Sequence, residues 1–391
     1  MKFKLTFWKF VFAVIMALGT YALFVRFTQG LGASTNLTDQ FPWGIWIGFD
    51  VLCGVMLAAG GFTLTAAVHI FNIKRLHAIV RPTVLTAFLG YALVSIALVI
   101  DLGRPYRIWH PLVMRNPHSV MFEVAYCVML YLAVLSLEFS PVVLERFKLE
   151  KPLKYIKAAL IPLVILGVIL STLHQSSLGT LYLIMPTKLH PFWYSPLLPV
   201  YFFISAIAVG LAMTIFESSI SSKVFGRALE LPILRELGRV MMVVLGVYGI
   251  LRFEDLFHRG VLKLTLVPSY EMYLFWLEIA LALVLPLVLL CIRKVRMSAG
   301  GLYLSAVLVV LGFITNRLNV SITGMETSAG QHYIPKWTEY SITAAIVAVG
   351  FALFGLAVKY LPIFEDTEHA PEEANAKAIA AAATAMSHAG K

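Results

Sequence analysis

Ten long apolar segments divide this chain, and they constrain its fold more than any other feature of the sequence. Each is close to the roughly 20 residues that a helix needs to cross the hydrocarbon core of a bilayer. We therefore predict an all-α integral membrane protein with about ten transmembrane helices, built as two four-helix bundles plus two flanking helices. The segments lie near residues 8–27, 45–71, 82–101, 120–144, 157–178, 196–218, 238–258, 270–292, 299–319 and 340–361.

The composition excludes the common soluble classes of protein. Of the 391 residues, 60% are hydrophobic and 13% are charged, whereas soluble domains have about 45–50% apolar and about 25% charged residues. The net charge of +10 would suggest nucleic acid in a soluble protein. In a membrane protein, this excess of positive charge is better explained as loop charge that sets the topology, so we predict no nucleic-acid partner.

The distribution of Lys and Arg predicts the orientation of the chain. With the N-terminus inside, 21 of the 31 Lys and Arg residues lie on the cytoplasmic side and seven lie outside. This asymmetry follows the positive-inside rule and predicts that both termini are cytoplasmic. Residues 1–361 are then the transmembrane domain, and the Ala- and Glu-rich residues 362–391 are predicted to form a flexible cytoplasmic tail.

The predicted outer loops are the longer ones, which favours a partner docked on that face. They span residues 28–44, 102–119, 179–195, 259–269 and 320–339. Their tryptophans Trp43, Trp109, Trp193 and Trp337 suit a belt at the membrane interface.

Ionisable residues cluster at the predicted outer ends of the helices. Such residues are costly inside a membrane and usually mark a functional site. One interpretation is structural, with Asp101–Arg104 and Arg252–Asp255 as ion pairs that hold helices together. Many polar residues remain beyond these two pairs, and this surplus favours a functional site instead. The predicted cluster contains Asp50, Asp101, Arg104, Glu123, His174, Gln175, Ser176, Ser177, Arg252, Glu254, Asp255, His258, Glu271, Arg317 and Glu339.

Three further acidic residues lie deeper along the spans. With Glu123, they could form a sparse proton path through the bilayer. The alternative is that Glu138 and Glu217 are interfacial residues near helix ends. The three residues are Glu278, Glu138 and Glu217.

The sequence offers no evident redox centre of its own. Its three cysteines are far apart, so they cannot form an intrinsic iron–sulfur cluster. A bis-histidine haem is disfavoured because His258 is the single candidate partner at the depth of His174. No metal site is predicted. A polar cluster near one interface fits a lipid-soluble quinone better than a transported solute, which usually binds near the midplane. The electrons must then come from another subunit.

Seven local strings give this chain a family resemblance. They are Phe41–Asp50 (FPWGIWIGFD), Asp101–Pro105 (DLGRP), Phe122–Glu123, His174–Gly179 (HQSSLG), Leu251–Leu256 (LRFEDL), Trp276–Glu278 (WLE) and Tyr333–Trp337 (YIPKW). In this order along ten spans, the strings resemble the NrfD / polysulfide-reductase membrane-subunit family. They are most similar to its HybB branch, the membrane subunits of hydrogenase-2-type nickel–iron hydrogenases. The resemblance covers about residues 10–360.

The resemblance implies a haem-free subunit that interacts with quinone in the bacterial cytoplasmic (inner) membrane. Its implied partners are a periplasmic ferredoxin-like subunit with four [4Fe–4S] clusters and the hydrogenase large and small subunits. Electrons would pass to menaquinone or ubiquinone. Two alternatives stay open: a redox-silent membrane anchor, and a proton translocator driven by quinone turnover.

The resemblance also implies roles for particular residues. His174, Asp101 and Glu123 would handle protons at the quinone. The surrounding polar network would contain Asp50, Arg104, Gln175, Ser176, Arg252 and Asp255.

Overall fold

A computed structural model describes residues 6–364, and all of the regular secondary structure in this part of the chain is helical, without strands. Nine of its helices are long and apolar enough to cross a membrane. The prediction of an all-α integral membrane protein is confirmed. The ten long helices are α1 Phe7–Gln29, α2 Trp46–Ile70, α3 Lys74–Asp101, α4 Val120–Arg146, α5 Glu150–Leu183, α6 Leu198–Phe225, α7 Leu231–His258, α8 Tyr270–Cys291, α9 Ala299–Ala329 and α10 Trp337–Tyr360.

Helix α7 is the one long helix in the described residues that is not counted among these nine. It has 28 residues and contains the predicted span 238–258. Charged residues stand at both of its ends, including Glu236 and Arg239 at one end and Arg252 and Asp255 at the other. It nevertheless packs against α6 and α8 like the other helices of its bundle.

The helices pack as two four-helix bundles, as the apolar pattern predicts. Helices α2–α5 form the first bundle and α6–α9 form the second. Helices α2 and α5 of the first bundle contact the second, and α1 and α10 pair with each other on the flank, where α10 lies against α3. A Cβ atom on Gly210 of α6 would lie 2.8 Å from the backbone nitrogen of Gly60 in α2. Glycine therefore lets the two bundles approach closely, as small residues do in membrane proteins.

Several helices contain π-helical segments. These are Trp46–Cys53 and Ala66–Ile70 in α2, Ala280–Val284 in α8 and Asn319–Thr323 in α9. Such segments occur frequently at functional sites. All four contain a buried polar residue or lie within two residues of one, namely Asp50, Thr65, Glu278 or Asn319.

The two ends of the molecule differ in their connections. We call one end the long-loop end; it carries residues 30–45, 102–119, 184–197, 259–269 and 330–336. The other, the basic end, carries residues 71–73, 147–149, 226–230 and 292–298. The assignment of the basic end to the cytoplasm remains a prediction. Most of the predicted tail, residues 365–391, lies outside the described residues.

At the long-loop end, two helices continue at least five residues beyond their apolar segments. Helix α5 continues to Leu183 rather than 178, and α9 continues to Ala329 rather than 319. His174 therefore lies about 13 Å from the end of its helix at the standard rise per residue, deeper than the sequence predicted. Arg317, which the apolar pattern placed at the end of its span, lies inside α9.

The predicted tryptophan belt is wrong for one of its four residues. Trp109 and Trp337 are exposed, and Trp43 is half-buried. Trp193 is fully buried, and its indole nitrogen donates a 2.8 Å hydrogen bond to Glu278. Its polar partner lies inside the protein rather than at the lipid headgroups.

Candidate functional site

The interior of the first bundle holds a fully buried histidine on α5. Nδ1 of His174 lies 3.0 Å from the hydroxyl of Tyr91 on α3. Nε2 of His174 has no hydrogen-bond partner within the described residues. The ring of Tyr91 also packs edge-on against Tyr131 of α4, with 4.6 Å between the ring centres. Three helices of the bundle thus meet at this histidine.

Further polar groups around His174 also lack partners. The amide nitrogen of Gln175 donates to the carbonyl of Val55 at 3.1 Å, while its Oε1 accepts no bond within residues 6–364. The hydroxyls of Ser171 and Tyr131 are buried and have no hydrogen-bond partner in the same part of the chain. The hydroxyl of Tyr182 also lacks a partner, but it lies eight residues, about 12 Å, farther along α5, where its ring packs against Trp43 and Phe202. Buried polar groups are nearly always hydrogen-bonded, and each exception costs about 1–3 kcal/mol. This concentration of unpartnered atoms is typical of a site that binds a polar ligand or water.

Glu123 is linked to this cluster from the long-loop end. It lies in the first turn of α4, and its carboxylate accepts a hydrogen bond from the hydroxyl of Ser177. Ser177 is buried on α5, three residues after His174. The neighbouring Ser176 is half-buried. Of the predicted acidic residues, Glu123 is therefore the one whose carboxylate is hydrogen-bonded to a side chain on the helix of His174.

Asp50 and Asp101 belong to a different group, on the side of α1 and α10. The carboxylate of Asp50 accepts a 2.9 Å hydrogen bond from Thr343 of α10. Asp101 ends α3, where Arg26 donates to the carbonyls of Ile100 and Leu102, at 2.7 Å each. Asp50 and Asp101 thus contact the flanking helices rather than His174.

The two ion pairs considered from the sequence do not form in the described residues. Arg104 is exposed beyond the end of α3 and makes no salt bridge there. Asp255 pairs instead with Arg259, at 2.6 Å, and accepts a 3.0 Å bond from Ser195. Arg252 donates to the carbonyl of Phe192 at 2.7 Å. The two ion pairs of the structural interpretation were therefore wrong. Arg252 and Asp255 nevertheless have a structural effect, because both connect α7 to the loop 184–197.

A second buried network lies in the α6–α9 bundle, centred on Glu278. Its carboxylate accepts hydrogen bonds from Trp193 at 2.8 Å, Asn316 at 2.8 Å and Asn319 at 2.9 Å. Asn316 in turn accepts a 2.7 Å bond from Arg317. Arg317 also donates to Ser205 at 2.6 Å and lies 3.6 Å from the ring centre of Phe202. In contrast to the first bundle, the carboxylate at the centre of this network has partners on both oxygens.

The remaining members of the predicted proton path lie apart from one another. Glu138 of α4 borders a cavity of about 290 Å³ that His69, His77, Arg81 and Lys157 line toward the basic end. Glu217 of α6 accepts a 2.7 Å hydrogen bond from Thr86 and borders a second cavity of about 470 Å³. Glu278 lies in the other bundle from Glu138. The four glutamates of the predicted path do not contact one another.

Sequence reasoning missed several residues of both networks. Tyr91, Tyr131, Asn316 and Asn319 are neutral side chains within apolar helices, and composition alone does not distinguish them. One signal was present, because Ser171, His174 and Gln175 follow the i, i+3, i+4 spacing of a single helix face. A polar stripe at this spacing predicts a buried polar surface within a membrane helix.

Comparison with known proteins adds independent information. The model of the family described as "Polysulphide reductase, NrfD" matches residues 33–329. A protein of Nitratidesulfovibrio vulgaris is 41% identical over 90% of this chain and 92% of its own length. The "Probable Ni/Fe-hydrogenase 2 b-type cytochrome subunit" of Escherichia coli K12 is 33% identical, over 93% and 95%. The "Menaquinone reductase, integral membrane subunit" of N. vulgaris is 30% identical, over 92% of both chains.

The cytochrome in the name of the E. coli relative prompts a test of whether these residues fit a b-type haem. A haem held by two histidines needs a second imidazole facing His174. His258 is exposed at the end of α7, in the other bundle, beside Glu254. The groups described around His174 are Tyr91, Tyr131 and Gln175 rather than a second histidine. The residues of this site therefore do not fit a bis-histidine haem.

Proposed function

This chain belongs to the polysulphide reductase NrfD family, and from that premise we propose that it is the quinone-interacting membrane subunit of a respiratory redox complex. It would pass electrons between an iron–sulfur partner and the membrane quinone pool. The observation that carries the proposal is the group of unpartnered polar atoms around His174. The name of the menaquinone reductase relative supports menaquinone as the quinone.

The geometry around His174 suits the protonation of a quinone. Reduction to the quinol takes two electrons and two protons, and each carbonyl oxygen gains one hydrogen. If the hydroxyl of Tyr91 donates to Nδ1 of His174, the neutral ring carries its proton on Nε2. Nε2–H would then donate a hydrogen bond to one carbonyl oxygen. When Nε2 passes its proton to the reduced oxygen, Nδ1 would take the hydroxyl proton of Tyr91, so that the ring stays neutral and Tyr91 is reprotonated in turn. The hydroxyls of Tyr131 and Ser171 are the candidates to face the other carbonyl.

Glu123 is the best-connected acid for replenishing this proton. It lies at the long-loop end and is bonded to Ser177 on the helix of His174. Asp101 was predicted for the same role, but its environment at Arg26 and the flanking helices favours a positioning role at the edge of the site. By the same argument, Asp50, Arg252 and Asp255 would hold the surrounding helices and loops, whereas the predicted role of Arg104 has no such contact to support it.

The electrons would arrive at the long-loop end. We propose a periplasmic ferredoxin-like subunit with four [4Fe–4S] clusters there, linked to the large and small subunits of a nickel–iron hydrogenase. The name of the E. coli relative and the length of these loops support this choice. The subunit would lie in the bacterial inner membrane with both termini in the cytoplasm.

Replacing His174 tests the proposal in the intact complex. In His174→Ala and His174→Gln, hydrogen oxidation linked to quinone should fall at least tenfold, while hydrogen uptake with a soluble dye stays normal. Tyr91→Phe leaves Nδ1 without its donor and should give an intermediate loss. His258→Ala, an exposed histidine of the other bundle, is the matched control. Co-purification of the partner subunits checks assembly of each variant.

The same experiment separates the proposal from a redox-silent anchor. An anchor only has to hold its partners, so an assembled His174→Ala complex would reduce quinone at the wild-type rate. That result would overturn the assignment of His174.

A second candidate function, proton translocation driven by quinone turnover, is favoured by the cavity at Glu138. A Cβ atom on Gly167 of α5 would lie 2.8 Å from the carboxylate of Glu138 and 3.7 Å from the ring of Tyr131. Glu138 and Tyr131 therefore flank the same glycine, between the cavity and His174. Protons could enter from the basic end through this cavity and reach the quinone through the two tyrosines.

Glu138→Gln tests this route in proteoliposomes that contain the whole complex. Proton uptake from the side of the basic end should be lost while quinone still binds with its normal KM. Glu254→Gln, an exposed carboxylate at the long-loop end, is the control. Proton uptake unchanged by Glu138→Gln would reject the route without touching the assignment of His174.

A further inference from the structure

The segment between α3 and α4, residues 102–119, exposes an unusual amount of apolar surface. It contains a 3₁₀ turn, Pro105–Arg107, and a short helix, His110–Val113. Tyr106 is 69% exposed, Trp109 51% and Val113 71%, and Leu112 and Met114 are also exposed. Exposed large apolar side chains in one short segment indicate an interaction surface.

The same segment is strongly basic. Arg104, Arg107 and Arg115 are exposed, and no acidic residue lies between Asp101 and Glu123. The sequence gives seven Lys and Arg residues to the predicted outer loops, and three of them lie here. The interaction surface therefore suits an anionic counterpart with apolar groups close to its charges.

The apolar surface of the segment continues into the flank of the bundle. Met121, at the start of α4, is exposed, and so are Leu130 and Leu137 farther along this helix. On α3, Ile96 is exposed as well. Helix α4 packs mainly against α3 and α5, at the rim of the molecule, so this flank faces lipid in a membrane.

We propose that residues 102–119 form a membrane-interface anchor that binds anionic phospholipids. Its apolar side chains enter the boundary between headgroups and acyl chains, as aromatic and aliphatic residues of interfacial segments do. Its guanidinium groups bind the lipid phosphates, because Arg matches phosphate geometry and is attracted to anionic leaflets. Continuity with the lipid-facing flank favours a bilayer over a protein partner as the occupant.

A spin label at Val113 tests where this segment lies. The variant is Val113→Cys with Cys291→Ser, because Cys53 and Cys127 are buried. In the intact complex, reconstituted in nanodiscs with phosphatidylglycerol, the label should be more accessible to oxygen than to a water-soluble nickel chelate. Asp39→Cys, an exposed acidic position on the loop 30–45, is the matched control and should show the reverse order.

Two results would overturn the proposal. Equal accessibility of the Val113 and Asp39 labels to the nickel chelate would place the segment in water. Protection from both reagents in the complex, but from neither in the isolated subunit, would mean that a protein partner covers it.

The arginines have a separate test. As the phosphatidylglycerol content of the nanodisc rises, the Val113 label should become less accessible to the nickel chelate. In Arg107→Gln/Arg115→Gln this response should be lost, whereas Lys188→Gln/Lys263→Gln, on two other loops of the same end, should keep it. An unchanged response in the arginine variant would refute binding of the phosphates by these side chains.

Discussion

Replacing Glu278 with leucine should destabilise the second bundle, because it removes the shared acceptor of three buried hydrogen bonds. The donors are the side-chain nitrogens of Trp193, Asn316 and Asn319. Leucine is close to glutamate in size but accepts nothing, so all three donors lose their partner inside an apolar bundle.

The magnitude follows from the number of bonds. A side-chain hydrogen bond between membrane helices contributes about 0.6–1.7 kcal/mol. Three bonds then predict a loss of about 2–5 kcal/mol if they contribute independently. Glu278→Gln should lose less stability than Glu278→Leu, since the amide oxygen, placed where Oε2 was, can still accept hydrogen bonds from two donors. Asn316 cannot simply turn to meet the new NH₂ group, because its own oxygen accepts from Arg317.

Thermal unfolding in detergent measures this effect. Because the entropy of unfolding is about 2.1 cal/mol/K per residue, each kcal/mol shifts the melting temperature of a chain of 391 residues by roughly 1 °C. We therefore expect the order wild type, Glu278→Gln, Glu278→Leu, with a fall of roughly 2–6 °C for leucine. Glu254→Leu, at an exposed carboxylate, should melt like the wild type. Wild-type melting of Glu278→Leu would refute the view that this carboxylate is the centre of a structural network.

Three further predictions concern packing and charge. Gly312→Ala should destabilise the α8–α9 contact, because the new Cβ atom would lie 2.1 Å from the backbone nitrogen of Ala282. Gly355→Ala is the control: its Cβ atom would have no neighbour within 4 Å, so the variant should melt like the wild type in the same assay. Arg317→Lys should lower the melting temperature, because one ammonium cannot replace the guanidinium contacts to both Asn316 and Ser205, while Arg104→Lys, at an exposed site, should not. Burial lowers the pKa of His190 below its usual 6.5, outweighing the nearby Glu271, which raises it. As the pH falls, the unfolded chain therefore binds the proton before the folded chain does, and stability should fall as the pH drops through about 6.5. His190→Gln should flatten this part of the plot of melting temperature against pH. If the same dependence persists in the variant, His190 is not its source.

The architecture could be predicted because it follows from one strong physical constraint. A bilayer forces apolar segments of fixed length, and these are visible in the sequence without knowledge of tertiary contacts. The residues at which the helices end were harder to predict from the sequence. Helix α5 continues through Gln175 and Ser177, and α9 continues through Asn319 and Ser321. The amide nitrogens of Gln175 and Asn319 donate to acceptors on other helices, and the two serine hydroxyls donate to carbonyls of the preceding helical turn. An apolar window ends where those residues begin.

The site was predicted less completely because spacing along one helix does not reveal a partner on another. Arg252 and Asp255 have the spacing of an intrahelical pair, yet Asp255 pairs with Arg259 and Arg252 reaches the carbonyl of Phe192. Tyr91 is one aromatic residue in an apolar segment, and its contact with His174 joins residues 83 positions apart. His174 and Glu123 could be named from the sequence because a charged or polar group in a membrane helix stands out. Their neutral neighbours do not stand out.

The networks around Glu278 and His174 differ in how completely their polar atoms are hydrogen-bonded. In the second bundle, Glu278 has partners on both oxygens, so its network needs no ligand to be stable. In the first bundle, His174, Gln175 and Tyr131 each keep an unpartnered polar atom in a fully buried position. Since unsatisfied groups are costly in hydrocarbon, the first bundle gains most from a bound molecule that supplies hydrogen-bond partners. A quinone offers two carbonyl acceptors for such groups and a flat apolar ring for the surrounding side chains. We therefore expect replacement of His174, and not of Glu278, to stop quinone reduction in a complex that still assembles.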